Sequence, residues 1–235
     1  GILIDRAHWI LDSQPGALVI GEVYEFSNSS DRTFIGSRVE GIDQPVTVAL
    51  AVPPGAQEIN FENGALGDRF QQQGYIIYDT TPVVPGKAAR QIIMRYVLPT
   101  TGALDLEQEF RYPIGDLTVL VSELPGVTAE VTGLSAMGSQ NMQGSSYQLW
   151  QGQALMPGKI ALKLAGLLTQ DSIDPRTVQG ADGSASAPPM ASGSVLHLES
   201  WMTWAMGGFL LLPLAGALVW AMRSGTMQRK GQGTD

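Results

Sequence analysis

The 235-residue sequence contains no cysteine. Disulfide bonds, thiolate metal sites, cysteine catalysis, c-type haem attachment and a lipidated N-terminal cysteine are therefore excluded. Histidine is nearly as scarce: His8 and His197 lie too far apart in the sequence for metal-ligand spacing. His8, beside Trp9, is interpreted as a residue on a strand surface. His197 is interpreted as an interfacial polar residue, with a haem or chlorophyll ligand, or a partner of Glu199, as the alternatives.

Charged residues are also sparse, at 15% of the chain, where about 25% is usual for a soluble globular protein. The sequence has 14 Lys and Arg and 22 Asp and Glu, and its tail places Arg223, Arg229 and Lys230 against a lone Asp235. The chain before this tail thus has 11 basic and 21 acidic residues. Because phosphate recognition needs a basic surface, an acidic body argues against a nucleic-acid partner.

Signatures of catalysis and of cofactor binding are missing as well. The sequence has no G-x-S-x-G elbow, Walker A loop, dinucleotide fingerprint or calcium loop. Asp105, Glu107 and Glu109 recur at a period of two, which is typical of the solvated face of one strand. We therefore predict no catalytic residue, no cofactor and no metal site. An enzyme with an unrecognised site is the third and weakest hypothesis.

Strand-like alternation is the main feature that the sequence does have, from Gly16 to about Leu167. Leu104, Leu106 and Phe110 fall on one face of the segment ALDLEQEFR. The same alternation occurs in QEINFE, KIALKL and RQIIMRYVL. A period of two with one apolar face is typical of a half-buried antiparallel strand. We predict an all-β fold, an antiparallel β-sandwich of about 9–11 strands.

Pro-Gly pairs separate several of these predicted strands. Such a pair fits the centre of a type II turn, where glycine supplies the positive φ. The four pairs end at Gly55, Gly86, Gly126 and Gly158.

The composition changes after the last predicted strand. Ser, Gly, Ala, Pro and Asp dominate the residues that follow, which is typical of a flexible tether or an extended strap. We predict four parts. They are an extracytoplasmic β-sandwich domain over 1–167, a linker over 168–198, a transmembrane helix over 199–223 and a short basic tail over 224–235.

The predicted transmembrane segment contains 23 residues without charge, from 200 to 222. As a helix they span about 34 Å, enough to cross a hydrocarbon core of about 30 Å. Trp201 and Trp204 at one end and Trp220 at the other have the spacing of interfacial tryptophans. We predict that these residues, with Arg223, lie at the two interfaces of a lipid bilayer.

The charges beside this segment predict its orientation. Arg223, Arg229 and Lys230 follow it, and the positive-inside rule places such residues in the cytoplasm. The sandwich is then expected on the periplasmic side of a bacterial cytoplasmic membrane. The chain begins with Gly1 instead of Met, as expected if an export leader is removed or an upstream segment is missing.

One face of the predicted helix is rich in small residues, which let helix backbones approach closely in lipid. Pro213 removes one backbone donor, which a membrane helix tolerates best beside neighbouring helices. We predict that the helix packs against integral membrane partners. The predicted packing face consists of Ala205, Gly208, Leu212, Ala215, Gly216 and Val219.

The order of several segments resembles uncharacterised bacterial exported β-sandwich proteins with a C-terminal membrane anchor. The segments are GEVYEFSNSSDRTFIG, VALAVPPGAQEINFENG, VVPGKAARQIIMRYVLP, RYPIGDLTVLV and MPGKIALKLAGL, followed by the linker and the anchor. The resemblance implies an accessory subunit of an energy-transducing membrane complex for quinol oxidation or electron transfer, such as alternative complex III. It provides no family active site to carry over.

Two functions from different classes compete. The first is a non-catalytic, single-pass accessory subunit that braces its partners on the periplasmic side. The alternative is a free-standing, membrane-tethered module that binds a ligand, a glycan or a protein at the cell surface. The linker favours the alternative, because a flexible tether gives reach.

Overall fold

The computed structural model describes residues 1–142 and 145–179, which form thirteen strands and one short helix. The all-β prediction is confirmed for this part of the chain, but the thirteen strands exceed the 9–11 that were predicted. The elements are β1 (Ile2–Gln14), β2 (Ala17–Asn28), β3 (Val48–Ala51), β4 (Gln57–Phe61), β5 (Phe70–Gln73), β6 (Ile76–Asp79), β7 (Gly86–Pro99), β8 (Ala103–Phe110), β9 (Ile114–Ser122), β10 (Thr128–Val131), β11 (Ser135–Met142), β12 (Ser145–Leu155), β13 (Gly158–Ala165) and α1 (Pro175–Gln179).

A seven-stranded sheet forms one layer, in the order β11-β12-β9-β1-β2-β7-β4. Its strand pairs are antiparallel except β1 and β9, which run parallel with Ile4 opposite Ile114 and Leu11 opposite Val121. This pair departs from the antiparallel sandwich predicted from the sequence. A period of two is the same for both orientations, and a parallel pair needs a long crossover connection that alternation does not reveal.

Two three-stranded sheets form the opposite layer, in the orders β10-β13-β8 and β3-β6-β5. Side chains join them where β8 and β3 meet. The Gln108 amide donates to the Ala51 carbonyl oxygen over 2.8 Å, and the Ala49 N–H donates to the Tyr112 hydroxyl over 2.8 Å. All three sheets contribute to one apolar core, so the arrangement is a two-layer sandwich.

The core confirms the strand faces that the sequence predicted. Leu106 and Phe110 of β8 are buried, and the acidic residues between them face outward. The predicted inward faces of β7 and β13 are buried as well. These residues are Ile92, Met94, Tyr96 and Leu98 of β7 and Ile160, Leu162 and Leu164 of β13.

Strand β1 precedes the region in which strands were predicted, which began at Gly16. Ala7, Trp9 and Leu11 of β1 are buried in the core, and the residues between them are polar or less buried. The period of two is thus present in this segment, where the sequence predicts a strand position for His8 alone.

The Pro-Gly turns are confirmed in part. Gly55 and Gly126 have φ of 87° and 85°, as a type II turn requires. Gly158 does not have a positive φ. It is instead the first residue of β13 and lies opposite Phe110 of β8, so the prediction is wrong there.

After β13 the chain remains bound to the sandwich, beside the turn that joins β1 to β2. The Gly16 N–H donates to the Leu168 carbonyl oxygen over 3.0 Å. The Arg176 guanidinium contacts the Asp12 carboxylate at 2.6 Å. Among the residues that the structure describes, no helix combines the length and apolar character needed to cross a membrane. The helix predicted over 199–223 lies outside them.

Candidate functional site

The residues predicted to work in the membrane lie outside the described part of the chain, and so does His197. They are Trp201, Trp204, Trp220 and Arg223 at the interfaces, and Ala205, Gly208, Leu212, Ala215, Gly216 and Val219 on the packing face. The structure therefore leaves these assignments as predictions.

His8 lies on β1 and points away from the core, because its neighbours Ala7 and Trp9 point into it. Its position on a strand is as predicted, although it is half-buried. Burial and then the charge of Arg6 lower the pKa of His8 to about 4, against the opposing charge of Asp116. The imidazole is therefore neutral at neutral pH.

The acidic run on β8 is a solvated face, as predicted. Glu107 pairs with Lys159 at 2.9 Å, and Glu109 pairs with Arg111 at 3.2 Å, with both pairs open to solvent. Exposed pairs of this kind are screened by solvent and contribute little to stability. Within residues 1–142 and 145–179, no group of three or more His, Asp or Glu side chains is placed to hold a metal ion.

Within the described part of the chain, a buried carboxyl group and its polar neighbours form a cluster inside the core. Glu22 is 1% exposed, and its two carboxylate oxygens accept hydrogen bonds from two tyrosines. The Tyr24 hydroxyl donates to Oε2 over 2.7 Å, and the Tyr96 hydroxyl donates to Oε1 over 2.6 Å. The Trp9 Nε1–H donates to the Tyr24 oxygen over 3.0 Å. We call these four residues the Glu22 cluster.

Strand pairing explains how the cluster forms. Ile20, Glu22, Tyr24 and Phe26 alternate along β2, and all four point into the core. Trp9 of β1 lies directly opposite Glu22 in the sheet. Tyr96 comes from β7, on the other side of β2. The centre of the seven-stranded sheet thus brings four polar groups together through its register alone.

Burial controls the electrostatics of the cluster. It raises the pKa of Glu22 to about 7, and the hydrogen bonds from Tyr96 and Tyr24 oppose this rise. Burial, followed by the negative charge of Glu22, raises the pKa of both tyrosines well above the usual value. Both hydroxyls therefore remain protonated donors at neutral pH, while Glu22 exchanges its proton near neutrality.

A cavity of about 10 Å³ lies beside Glu22 and reaches into both layers. This volume accommodates about one water molecule and excludes any organic substrate. Gln108 of β8 lines the cavity, and its Oε1 is buried without a hydrogen-bond partner. The remaining lining residues are Trp9, Leu11, Ile20, Tyr96, Leu106 and Leu162. The arrangement can hold or release a proton, and it has no room for a larger ligand.

A second buried carboxylate, Asp79 at the end of β6, is also 1% exposed. The Arg69 guanidinium donates to both of its oxygens, over 3.0 and 2.7 Å, and Arg90 of β7 lies at 3.6 Å. The Thr81 N–H donates to Asp79 over 2.9 Å. Arg69 also lies over the Phe70 ring at 4.5 Å. This Asp79 cluster links β6 to β7 and to the segment before β5.

Neither buried acid is predicted from the sequence. For Glu22 the signal is present in the segment IGEVYEF, because the acid occupies a core position between Ile20 and Tyr24 of the same alternation. For Asp79 the alternation is too short to read, since β6 has four residues.

Comparisons with known proteins add a weak likeness. The sequence matches no protein-family model and no curated protein. Among solved structures, an M1 zinc metallopeptidase from Deinococcus radiodurans shares 12% identity at a TM-score of 0.41. A mutant of that enzyme bound to a Tyr-Ser-Ala substrate shares 13% identity at the same TM-score.

Each of these matches covers 70% of this chain and 42% of the metallopeptidase, so the chain spans less than half of the length of those proteins. At this TM-score the likeness transfers no activity to the chain. The prediction that the chain is not an enzyme stays a prediction.

Proposed function

We propose that the chain is a non-catalytic accessory subunit of a larger bacterial membrane protein complex. One helix anchors it in the cytoplasmic membrane, and the β-sandwich braces partner subunits on the periplasmic side. The uncharged run from 200 to 222, with Glu199 before it and Arg223 after it, carries this proposal. Its length and its flanking residues are those of a single membrane span.

The cavity beside Glu22 is too small for a small-molecule substrate. Binding sites for small molecules usually enclose about 300–1,000 Å³, whereas the cavity beside Glu22 is about 10 Å³. The core in this region is filled with side chains and has no room for a substrate.

The assignment to an energy-transducing complex is the more specific part of the proposal. It is supported by the resemblance to exported, anchored β-sandwich proteins, and it names quinol oxidation or electron transfer as the activity of the partners. The expected partners are integral membrane subunits that pack on the face containing Gly208 and Ala215.

Variants of the helix test the proposal. Gly208→Leu and Ala215→Leu add bulk to the predicted packing face and are expected to abolish co-purification with partners in mild detergent, because the helix backbones are pushed apart. Ala217→Leu adds the same bulk on the opposite face of the helix and serves as the matched control. Equal co-purification of all three variants would show that the helix does not pack through this face.

The alternative function, a tethered binding module, is favoured by a separate observation. The segment between β2 and β3 is long and mostly exposed, and a loop of this length is often functional. Bridges from Phe34 to Val83 and from Ser37 to Val46 hold it in place, while Ile35 is 67% exposed. If Ile35→Ser abolishes capture of a partner that the Gly208→Leu variant still captures, the binding module is the better description.

A further inference from the structure

Glu22 is surrounded by neutral groups from every strand packed against it. Tyr24 and Tyr96 are the titratable groups that face it, from β2 and β7, and both act as donors. Trp9 lies opposite on β1. From the other layer, Gln108 of β8 and Leu162 of β13 line the cavity that Glu22 also lines.

The charged side chains of the facing strands point the other way. Glu107 of β8 and Lys163 of β13 are exposed, while Leu106 and Leu162 beside them point into the core. No charged group of the described residues is therefore directed at Glu22. An ionised Glu22 has hydroxyl donors and no counter-charge, and a buried charge in this situation is costly.

We propose that Glu22 is a pH-sensitive switch between the two layers of the sandwich. The protonated acid brings no charge into the closed core. When Glu22 ionises, the contact between the seven-stranded sheet and the β8–β13 pair loosens, and water enters the cavity between them. Gln108 is placed to hold that water, because its Oε1 is buried without a partner beside Glu22.

The direction of the effect follows from proton linkage. The pKa of Glu22 is raised from 4.5 to about 7 in the folded chain, so the folded state binds the proton more tightly than the unfolded state. The contribution of protonated Glu22 to the stability of the folded chain is complete below about pH 4.5. It falls as the pH rises to about 7 and changes no further above that. The folding equilibrium constant is expected to fall on the order of a hundredfold across this window.

The test measures the free energy of unfolding of the full chain in mild detergent. Denaturant titrations at a series of pH values from about 4 to 8 give this free energy. The wild type is expected to show the fall described above, and Glu22→Gln is expected to remove it. Tyr96→Phe should move the midpoint of the fall to higher pH, because the Tyr96 hydroxyl stabilises the ionised form. Glu107→Gln, an exposed acid on β8, is the matched control and should leave the fall unchanged.

Two further measurements keep the proposal testable if Glu22→Gln does not fold. The carbon-13 shift of the Glu22 carboxyl in the wild type should titrate near neutral pH. Backbone amides of β8 and β13 should exchange with solvent faster, relative to intrinsic rates, above this midpoint than below it. A Glu22 that is already ionised at about pH 5, or exchange that does not change across the midpoint, would overturn the switch.

Discussion

Two carboxyl groups in this sandwich are buried to the same extent and are accommodated in opposite ways. Glu22 and Asp79 are each 1% exposed. Asp79 lies against two guanidinium groups, from Arg69 and Arg90, whereas Glu22 lies against two tyrosine hydroxyls. The comparison shows that equal burial does not imply equal electrostatics: one acid has counter-charges and the other has neutral donors.

The position of each acid in the fold accounts for the difference. Asp79 ends β6, and the side chains of Arg69 and Arg90 that reach it are 18% and 15% exposed. Both arginine side chains thus stay partly open to solvent while their guanidinium groups contact the buried acid. Glu22 lies in the middle of β2, in the central part of the seven-stranded sheet, where the neighbouring strands provide aromatic residues.

The largest expected effect comes from removing a counter-charge. Arg69→Ala leaves Asp79 buried with the Thr81 N–H and the more distant Arg90 as its partners. Loss of one partner from a buried ion pair typically costs about 3–5 kcal/mol. The free energy of unfolding, measured with urea at neutral pH, checks this value. Lys159→Ala breaks an exposed, solvent-screened pair with Glu107 and should leave the free energy of unfolding nearly unchanged. Equal costs for the two variants would contradict the counter-charge role of Arg69.

A smaller effect is expected from the hydroxyls around Glu22. Tyr24→Phe removes a donor to Glu22 and also the acceptor of the Trp9 Nε1–H. Leaving a buried donor without a partner costs about 1–3 kcal/mol. Tyr96→Phe removes one donor and leaves Trp9 paired. At about pH 5 it should therefore lower the free energy of unfolding by less than Tyr24→Phe does. The order of the two unfolding free energies is the check, and a reversed order would contradict the hydrogen-bond assignment.

The smallest effect on the free energy of unfolding is expected from Glu22→Gln at a pH above the pKa of Glu22. At about pH 8, Glu22→Gln removes a buried charge that has no counter-charge, so its unfolding free energy should lie within about 1 kcal/mol of the wild type or above it. Asp79→Asn at the same pH removes the carboxylate from two guanidinium groups and should be clearly destabilising. If Glu22→Gln is the more damaging variant in urea unfolding, the two acids do not differ as described.

The sequence predicts regular parts of this fold well and exceptions poorly. The inward faces of β7, β8 and β13 follow from alternation, because each strand has one apolar face toward the core. The parallel pairing of β1 with β9 depends on residues more than a hundred positions apart, and no local pattern encodes it. Glu22 and Asp79 break the rule that charged residues face solvent. Alternation places Glu22 in the core, between Ile20 and Tyr24, whereas β6 is too short for alternation to place Asp79.

The membrane segment, in contrast to the two buried acids, is predicted directly from local features of the sequence. Its assignment depends on composition, length and flanking charge alone, which are features that a sequence displays directly. The packing face with Gly208 and Ala215 likewise follows from helical spacing. What such a helix contacts depends on other chains, and no property of this sequence identifies them.

Native electrophoresis of gently solubilised membranes tests the accessory-subunit proposal most directly. The band that contains this chain would be identified by mass spectrometry, and its visible absorption spectrum would be recorded. The account predicts a large, coloured band that also contains haem-bearing or quinone-linked subunits. A band near 25.1 kDa plus detergent, containing this chain alone, would contradict it.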